Sequence, residues 1–337
     1  LAHRSLERVS GSLRDLVPLT GDASTRRFFR ATFADDSSLV VMVYPAGDRD
    51  NGASFVDVQQ YLKSRGLPVP KIVEHHPEHG TIIVEDLGDL MLEPAIDGMT
   101  EEEQLRRYTE AVDIILRMQV TSTKADTQCV AFDLAFDVPK LMWEMEFFLT
   151  HFVRGFAGLS LSETAALQLR QFLSAVCIEL AEQPRFFTHR DYHSRNLMVC
   201  DRGLVMVDFQ DARMGPCQYD LASLLKDSYV DVPEAITEQL VEYFHNSQPG
   251  SGLRSLEEFR RMFDLTSLQR NIKALGTFGY QTAVRGSDRF RSSIPRTGKH
   301  IAANPAVCSE FRSFRSVIED FIIGPAGASP SARSTRS

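Results

Sequence analysis

The chain lacks what would tie it to a disulfide scaffold, a membrane or a polyanion. Its five cysteines, Cys129, Cys177, Cys200, Cys217 and Cys308, are odd in number and widely separated. None stands at a C-x-x-C or Cys/His spacing that would hold a metal. They are expected to be reduced thiols of a cytoplasmic protein. No apolar run approaches the roughly 18 residues a spanning helix requires. Residues 1–15 mix charges of both signs where a secretory leader would carry an apolar core. Positive charge is in deficit, with 37 Lys and Arg against 45 Asp and Glu. Neither nucleic acid nor an anionic membrane is therefore expected as a partner. Nothing points to an obligate protein partner, and no internal repeat marks a solenoid.

What is present is an ordinary globular composition, 43% hydrophobic and 24% charged over 337 residues. That length exceeds what one core usually serves, so two lobes are expected. The end, 324–337, is small, polar and rich in Pro and Gly, and is expected to be a disordered tail. The front is strand-rich. Residues 26–33 and 38–44 are apolar and β-branched around an Asp35-Asp36-Ser37 turn, and 71–74 and 81–85 read as two more strands. Between the pairs a helix is expected through Phe55, Val58, Gln59 and Leu62 to a stop at Gly66. Beyond Asp86-Leu87-Gly88-Asp89 the apolar spacing becomes helical in 101–120, 139–154, 162–182, 234–246 and 256–280. The expected division is 1–87 as a nucleotide-binding lobe and 88–323 as a helical lobe.

One segment interrupts the helices. Thr188-His-Arg-Asp-Tyr-His-Ser-Arg-Asn196 and, after a strand, Asp208-Phe-Gln-Asp211 have the spacing His-x-Asp-x₄-Asn followed by Asp-Phe. That is the catalytic-loop and metal-binding pattern of the protein-kinase superfamily. Phosphoryl transfer needs positioning and charge neutralisation more than covalent help. Asp191 suits the orienting of an attacking hydroxyl, and Asn196 with Asp208 supplies hard oxygen ligands for Mg²⁺. Each of these residues alone is more readily a turn cap; the whole set at this spacing favours the kinase reading.

These residues resemble the aminoglycoside phosphotransferase family of small-molecule kinases. The resemblance extends to its branch of bacterial kinases that phosphorylate N-acetylmuramate and N-acetylglucosamine at C1, in peptidoglycan recycling. The blocks that carry it are Gly21-Asp-Ala-Ser-Thr-Arg-Arg-Phe-Phe-Arg30, Val84-Glu-Asp-Leu-Gly-Asp89, the catalytic loop, Asp208-Phe-Gln-Asp-Ala212, Leu268-Gln-Arg-Asn-Ile-Lys-Ala-Leu-Gly276 and Ile294-Pro-Arg296. The resemblance implies a bilobal α+β protein-kinase-like fold, a small antiparallel-sheet lobe with a larger helical one. It also implies ATP and Mg²⁺ as cofactors and a sugar hydroxyl as acceptor. An antibiotic phosphotransferase and a nucleotide-binding pseudokinase are the alternatives.

Further site residues follow. Gly21, Ser24 and Thr25 are expected in a loop over the nucleotide phosphates, and Glu85 to Gly88, with Leu87, at the adenine. The strand 39–44 lacks the lysine that pairs with the phosphates, and Arg26, Arg27 and Arg30 are the only basic residues from 20 to 48. Arg26 and Arg30 share one strand face, so that face is expected to meet the nucleotide, with a solvated strand face as the alternative. His193 fills the slot of a kinase lysine beside the γ-phosphate. Arg195 either adds charge there or holds the loop by pairing with a carboxylate. Glu144, Phe148 and His151 share one helix face that could meet a sugar. Arg270 suits an acceptor carboxylate. Asp211 either binds substrate or caps a turn, and Asp220 is expected to brace the loop.

Overall fold

The computed structural model describes residues 12–19, 26–45, 47, 49–121, 129–248 and 255–310. The residues 21–25 expected over the phosphates and the tail 324–337 lie outside them. Contacts group the chain into two compact units. One holds Leu1–Leu134 with His189–Arg213, and the other Ala135–Thr188 with Met214–Ser337.

The first unit begins with strands β1 (Leu13–Leu19), β2 (Arg27–Phe33) and β3 (Ser38–Val43), helix α1 (Arg49–Ser64), and strands β4 (Ile72–His76) and β5 (Thr81–Glu85). They form a five-stranded antiparallel sheet in the order β1-β2-β3-β5-β4. The β2–β3 turn closes as its residues suggest. Asp36 takes a φ of 65° and Asp35 accepts from the Ser37 amide at 3.1 Å. Ala31, Phe33, Val41 and Ile83 are buried on one sheet face with Phe29, Leu39 and Val43 packed on them. This is the alternation that β-branched and aromatic residues at every second position produce. Helix α1 ends where Gly66 takes a φ of 72°.

The expected division at residue 87 marks where strand patterning ends, but the contacts carry the first unit further. It includes α2 (Leu92–Ile96), α3 (Glu101–Thr121) and the hairpin of β7 (Leu197–Cys200) and β8 (Gly203–Met206). The hairpin is fastened by buried or half-buried polar bonds. The Leu204 amide donates to Glu110 of α3 at 2.7 Å, and the Val199 amide to the Leu90 carbonyl at 2.8 Å.

The second unit is helical apart from the pairing of β6 (Arg185–Thr188) with β9 (Arg213–Pro216). It holds α4 (Val138–Phe148), a π-helix (Leu149–Phe156), α5 (Glu163–Ala181), α6 (Gln218–Leu225), α7 (Glu234–Ser247), α8 (Leu256–Ala283), α9 (Ile294–Ala302) and α10 (Pro305–Glu310). Its axis is α8, started by a capping box in which Ser255 and Glu258 bond reciprocally. Two glycines bring α8 against α4 and the π-helix. A Cβ on Gly276 would lie 2.9 Å from the Phe148 Cα, and one on Gly279 2.6 Å from the His151 carbonyl oxygen. No described helix is long and apolar enough to cross a membrane. Cys129, Cys177, Cys200 and Cys217 form no disulfide, and burial pushes the Cys129, Cys177 and Cys217 thiols up to about 12.

Asp264 of α8 is half-buried, and burial raises its pKa to about 6, with Lys226 opposing and Glu238 and Glu234 adding to the rise. Because its folded value lies above the ordinary 3.9, its contribution is complete below about pH 4 and is lost as pH rises through 6. Asp264→Asn is expected to raise stability at pH 7 by about 1–2 kcal/mol, and to have no such effect at pH 4. Urea unfolding at the two pH values checks this.

Candidate active site

The catalytic loop runs between β6 and β7, and both of its ends are tied to Val207. The His189 ring, fully buried, donates from Nε2 to the Val207 carbonyl at 2.9 Å, and the Val207 amide donates to the Asn196 carbonyl at 3.0 Å. Burial holds His189 below the ordinary histidine range against the pull of Asp191 and Asp208, so the ring is neutral at pH 7. Within the loop, Asn196 donates its side-chain amide to the Asp191 carbonyl at 2.8 Å, and the His193 amide donates to the same oxygen at 3.1 Å. The buried Tyr192 hydroxyl donates to the Ala111 carbonyl of α3 at 2.8 Å, which fixes the loop to the first unit. Asp191, Asn196 and Asp208, the three oxygen donors expected from the sequence, are thus held in one unit.

Asp208 follows Val207 directly and takes a left-handed φ of 65°, rare for a residue with a side chain. Arg26, at the head of β2, donates to the Asp208 carboxylate and, at 3.0 Å, to Gln210; Gln210 donates to the same Asp208 oxygen at 3.0 Å. Burial raises the Asp208 carboxyl, and Asp191 adds a little. Arg26 and Gln210 outweigh both, and the carboxyl lies below its ordinary range. It is a carboxylate at neutral pH. Phe209, buried, stacks on Phe55 of α1 with centroids 4.8 Å apart, which couples the Asp-Phe turn to the helix beside the sheet.

The arginines expected at the phosphates divide by partner. Arg30 is gripped by two carboxylates of the segment after β5, Asp86 at 2.6 Å and Asp89 at 2.8 Å. The fork of Arg30, expected at the phosphates, is engaged by the linker. Arg27 is exposed and stands over Phe29. Arg26 alone of the three reaches the Asp-Phe-Gln turn. Glu85 pairs with Arg202 at 2.9 Å, and the Leu87 carbonyl accepts from the Cys200 thiol at 3.6 Å.

Arg195 takes the alternative of its two readings. It makes a two-point pair with Glu93 of α2, Nε to Oε2 at 2.7 Å and a terminal nitrogen to Oε1 at 2.9 Å. It anchors the loop rather than presenting charge to a phosphate. Asp211 pairs with Arg190, the other left-handed residue of the loop, at 3.0 Å. It reads as a brace of the turn more than as an acceptor contact.

In the second unit two residues expected at the acceptor are buried among helices. Glu144 is 2% exposed and accepts from Gln269 at 2.9 Å; Arg270 is 4% exposed and donates to Ser223 of α6. Both are spent on bonds between buried helices. Phe148 is buried as well. His151 keeps a half-exposed position beside Phe147 and Tyr280. Asp220 is fully buried in α6. The sequence missed Glu93, Gln210 and the Arg30–Asp86–Asp89 clamp, whose signal lies only in pairing across long separations.

A site of this kind fits a divalent cation by donor chemistry. Asp208 is ionised, and donation of the Asn196 amide nitrogen to Asp191 turns its oxygen the other way. Among the described residues no cluster of three or more His, Cys, Asp or Glu side chains could hold a metal by itself.

Comparison with known proteins agrees with this geometry. Residues 15–259 match the family model described as the phosphotransferase enzyme family. The N-acetylmuramate/N-acetylglucosamine kinase of Pseudomonas aeruginosa is 31% identical over 291 residues, 85% of this chain and 82% of that protein. The kinase of the same name from Neisseria meningitidis is 31% identical over 288 residues, 84% and 83% of the two chains. Among solved structures, an ADP-bound aminoglycoside phosphotransferase superposes with a TM-score of 0.62 at 14% identity, covering 90% of this chain and 97% of that one. A choline kinase from Streptococcus pneumoniae gives 0.61 at 14%, covering 89% and 96%. At such identity the structures speak for the fold alone, and it is the protein-kinase-like α+β fold.

If Arg195 acts through Glu93, then Arg195→Ala, Glu93→Ala and the double variant are expected to lower kcat by a similar roughly 10- to 100-fold, with no additivity. Steady-state kinetics of the cycle checks it. An unchanged kcat in Glu93→Ala would return Arg195 to the reacting phosphate.

Proposed function

The chain belongs to the phosphotransferase enzyme family, and on that premise we propose that it transfers the γ-phosphoryl group of ATP to the anomeric C1 hydroxyl of an N-acetylated amino sugar, N-acetylmuramate or N-acetylglucosamine, in the cytoplasmic recycling of cell-wall sugars. The observation that carries the reading is the loop held at both ends by Val207, with Asp191, Asn196 and Asp208 in it or beside it. The names of the curated relatives support the acceptor.

In this mechanism Asp191 accepts a hydrogen bond from the acceptor hydroxyl, orients its lone pair toward phosphorus and takes its proton as the new P–O bond forms and the bond from the γ-phosphorus to the bridging oxygen breaks, that oxygen leaving on ADP. Asn196 and Asp208 would hold Mg²⁺, which would supply neutralisation of the phosphate charge when bound. His193, two residues beyond Asp191, lies where the γ-phosphate is expected. The segment Glu85 to Gly88, clamped through Asp86 to Arg30, offers its backbone to the adenine.

Arg26 takes the place of the missing strand lysine. Of Arg26, Arg27 and Arg30 it is the one that bonds Asp208, and its guanidinium has donors for both a carboxylate and a phosphate oxygen. Arg26→Ala is expected to raise the KM for Mg-ATP roughly 10- to 100-fold, as loss of a charge-assisted bond does, with Arg27→Ala near wild type. Equal, small effects in both variants would remove Arg26 from the nucleotide site.

The test of the function itself is a panel of acceptors assayed for ADP release, with the phosphate located by ³¹P NMR. N-acetylmuramate or N-acetylglucosamine is expected to turn over and yield an acid-labile anomeric phosphate, and Asp191→Asn to lower kcat by roughly 10²- to 10⁴-fold. Turnover of kanamycin in place of both sugars would make this an antibiotic phosphotransferase, and turnover of nothing would make it a pseudokinase.

A further inference from the structure

The Arg26 side chain is 10% exposed, far less than a solvated arginine of a strand face. Its guanidinium stands over two rings, that of Phe28 in β2 with the centroid at 5.5 Å and that of Tyr44, just past β3, at 5.8 Å. The same guanidinium closes a triangle on the Asp-Phe-Gln turn. Nη2 donates to Asp208 Oδ1, Nη1 donates to Gln210 Oε1 at 3.0 Å, and Gln210 Nε2 donates to the same Asp208 oxygen at 3.0 Å. All five residues belong to the first unit.

The chemistry of the triangle fits an amide at position 210 and little else. Its oxygen accepts from the cation while its nitrogen donates to the anion. A carboxylate there would repel Asp208, and an ammonium would repel Arg26. Both bonds to Asp208 fall on Oδ1, so Oδ2 is the oxygen left for a metal. A dication on Oδ2 would then share one carboxylate with the guanidinium on Oδ1, and the two positive groups would repel at close range in a half-buried setting.

We propose that Arg26 and a divalent cation at Asp208 oppose each other until nucleotide phosphates join them, so that free metal is kept off the centre and enters with the nucleotide. Gln210 is the positioning residue that holds Arg26 to this task. The proposal rests on the phosphoryl-transfer reading of Asp208 and deepens it. Phosphate oxygens reverse the sign of the coupling, because they ligate the metal and accept from the guanidinium at once. One arginine therefore disfavours the metal alone and favours the metal–nucleotide complex. Removing its charge should move the two affinities in opposite directions, whereas loss of local structure weakens both.

The test reads metal binding without turnover. The full chain, with no nucleotide added, is titrated with Mn²⁺, which takes the same oxygen ligands as Mg²⁺, and free Mn²⁺ is followed by electron paramagnetic resonance. Arg26→Met keeps an apolar stem beside the two rings and removes the charge; Gln210→Leu keeps the bulk and removes both amide bonds. Expected are about tenfold tighter Mn²⁺ binding in Arg26→Met and about threefold in Gln210→Leu, each with a raised KM for Mg-ATP. The gain in Arg26→Met is expected to vanish when Asp208→Asn is added. Mn²⁺ affinity in Arg26→Met equal to or weaker than wild type overturns the proposal, and so does a gain that survives Asp208→Asn. If Arg26→Met does not fold, Gln210→Leu carries the same test, and an affinity no tighter than wild type overturns it. These outcomes leave the kinase reading standing so long as the wild type turns over a sugar. Opposed shifts in a wild type that turns over none would overturn that reading and uphold the coupling.

Discussion

A single residue between two short strands holds the reacting centre together. Val207 accepts the His189 ring at 2.9 Å and donates to the Asn196 carbonyl at 3.0 Å, so both ends of the catalytic loop are fixed to the residue that precedes Asp208. The bond from His189 is made in full burial, where an unmet carbonyl would cost more than in water. It requires a proton on Nε2, and the burial that depresses the His189 pKa keeps the ring neutral. Everything else at the centre is arranged outward from this point. The Arg195–Glu93 pair and the Tyr192 hydroxyl fix the loop to α2 and α3, the Phe209–Phe55 stack fixes the following turn to α1, and Arg26 spans from β2 to Asp208.

Charge is distributed to the same end. The Asp208 carboxylate is kept ionised in a half-buried setting by an arginine and an amide rather than by a lysine from the middle strand. The sheet can then leave Val41, Met42 and Val43 wholly apolar. Moving the cation to the start of β2 places it directly after the loop expected to cover the phosphates. The two other arginines of that stretch are separated from this task by geometry. Arg30 is locked to Asp86 and Asp89, and Arg27 faces outward.

The catalytic loop was legible because its chemistry dictates both residue type and spacing within eight positions, and the sheet and its helix were legible because alternation and a Gly66 stop are local signals. Three kinds of feature were not. Strand β1 contains Asp15 and Pro18 and lies at the sheet edge, mostly exposed, so no burial alternation marks it. Helix α6 is buried at all eight positions and therefore shows no period. The phase of α4 was also hidden. Leu141, Met142, Trp143, Met145, Phe147 and Phe148 put apolar residues on every side, and which side is inside is decided by Gly276 and Gly279 more than a hundred residues later. That is why Glu144 and Phe148, expected at the acceptor, are core residues, and Trp143 and Phe147 are not. Arg30 and Arg195 show the same limit in polar form, since their carboxylate partners are distant in sequence.

The account makes the protein a scaffold that positions two reactants, with no covalent intermediate on His193 or on either aspartate. The stereochemical course at phosphorus tests that most directly. With γ-phosphorus-chiral ATP and the accepted sugar, direct in-line transfer to the hydroxyl oriented by Asp191 gives inversion of configuration. Retention would mean two successive displacements through a phosphorylated residue, and would contradict the roles assigned to Asp191, Asn196 and Asp208.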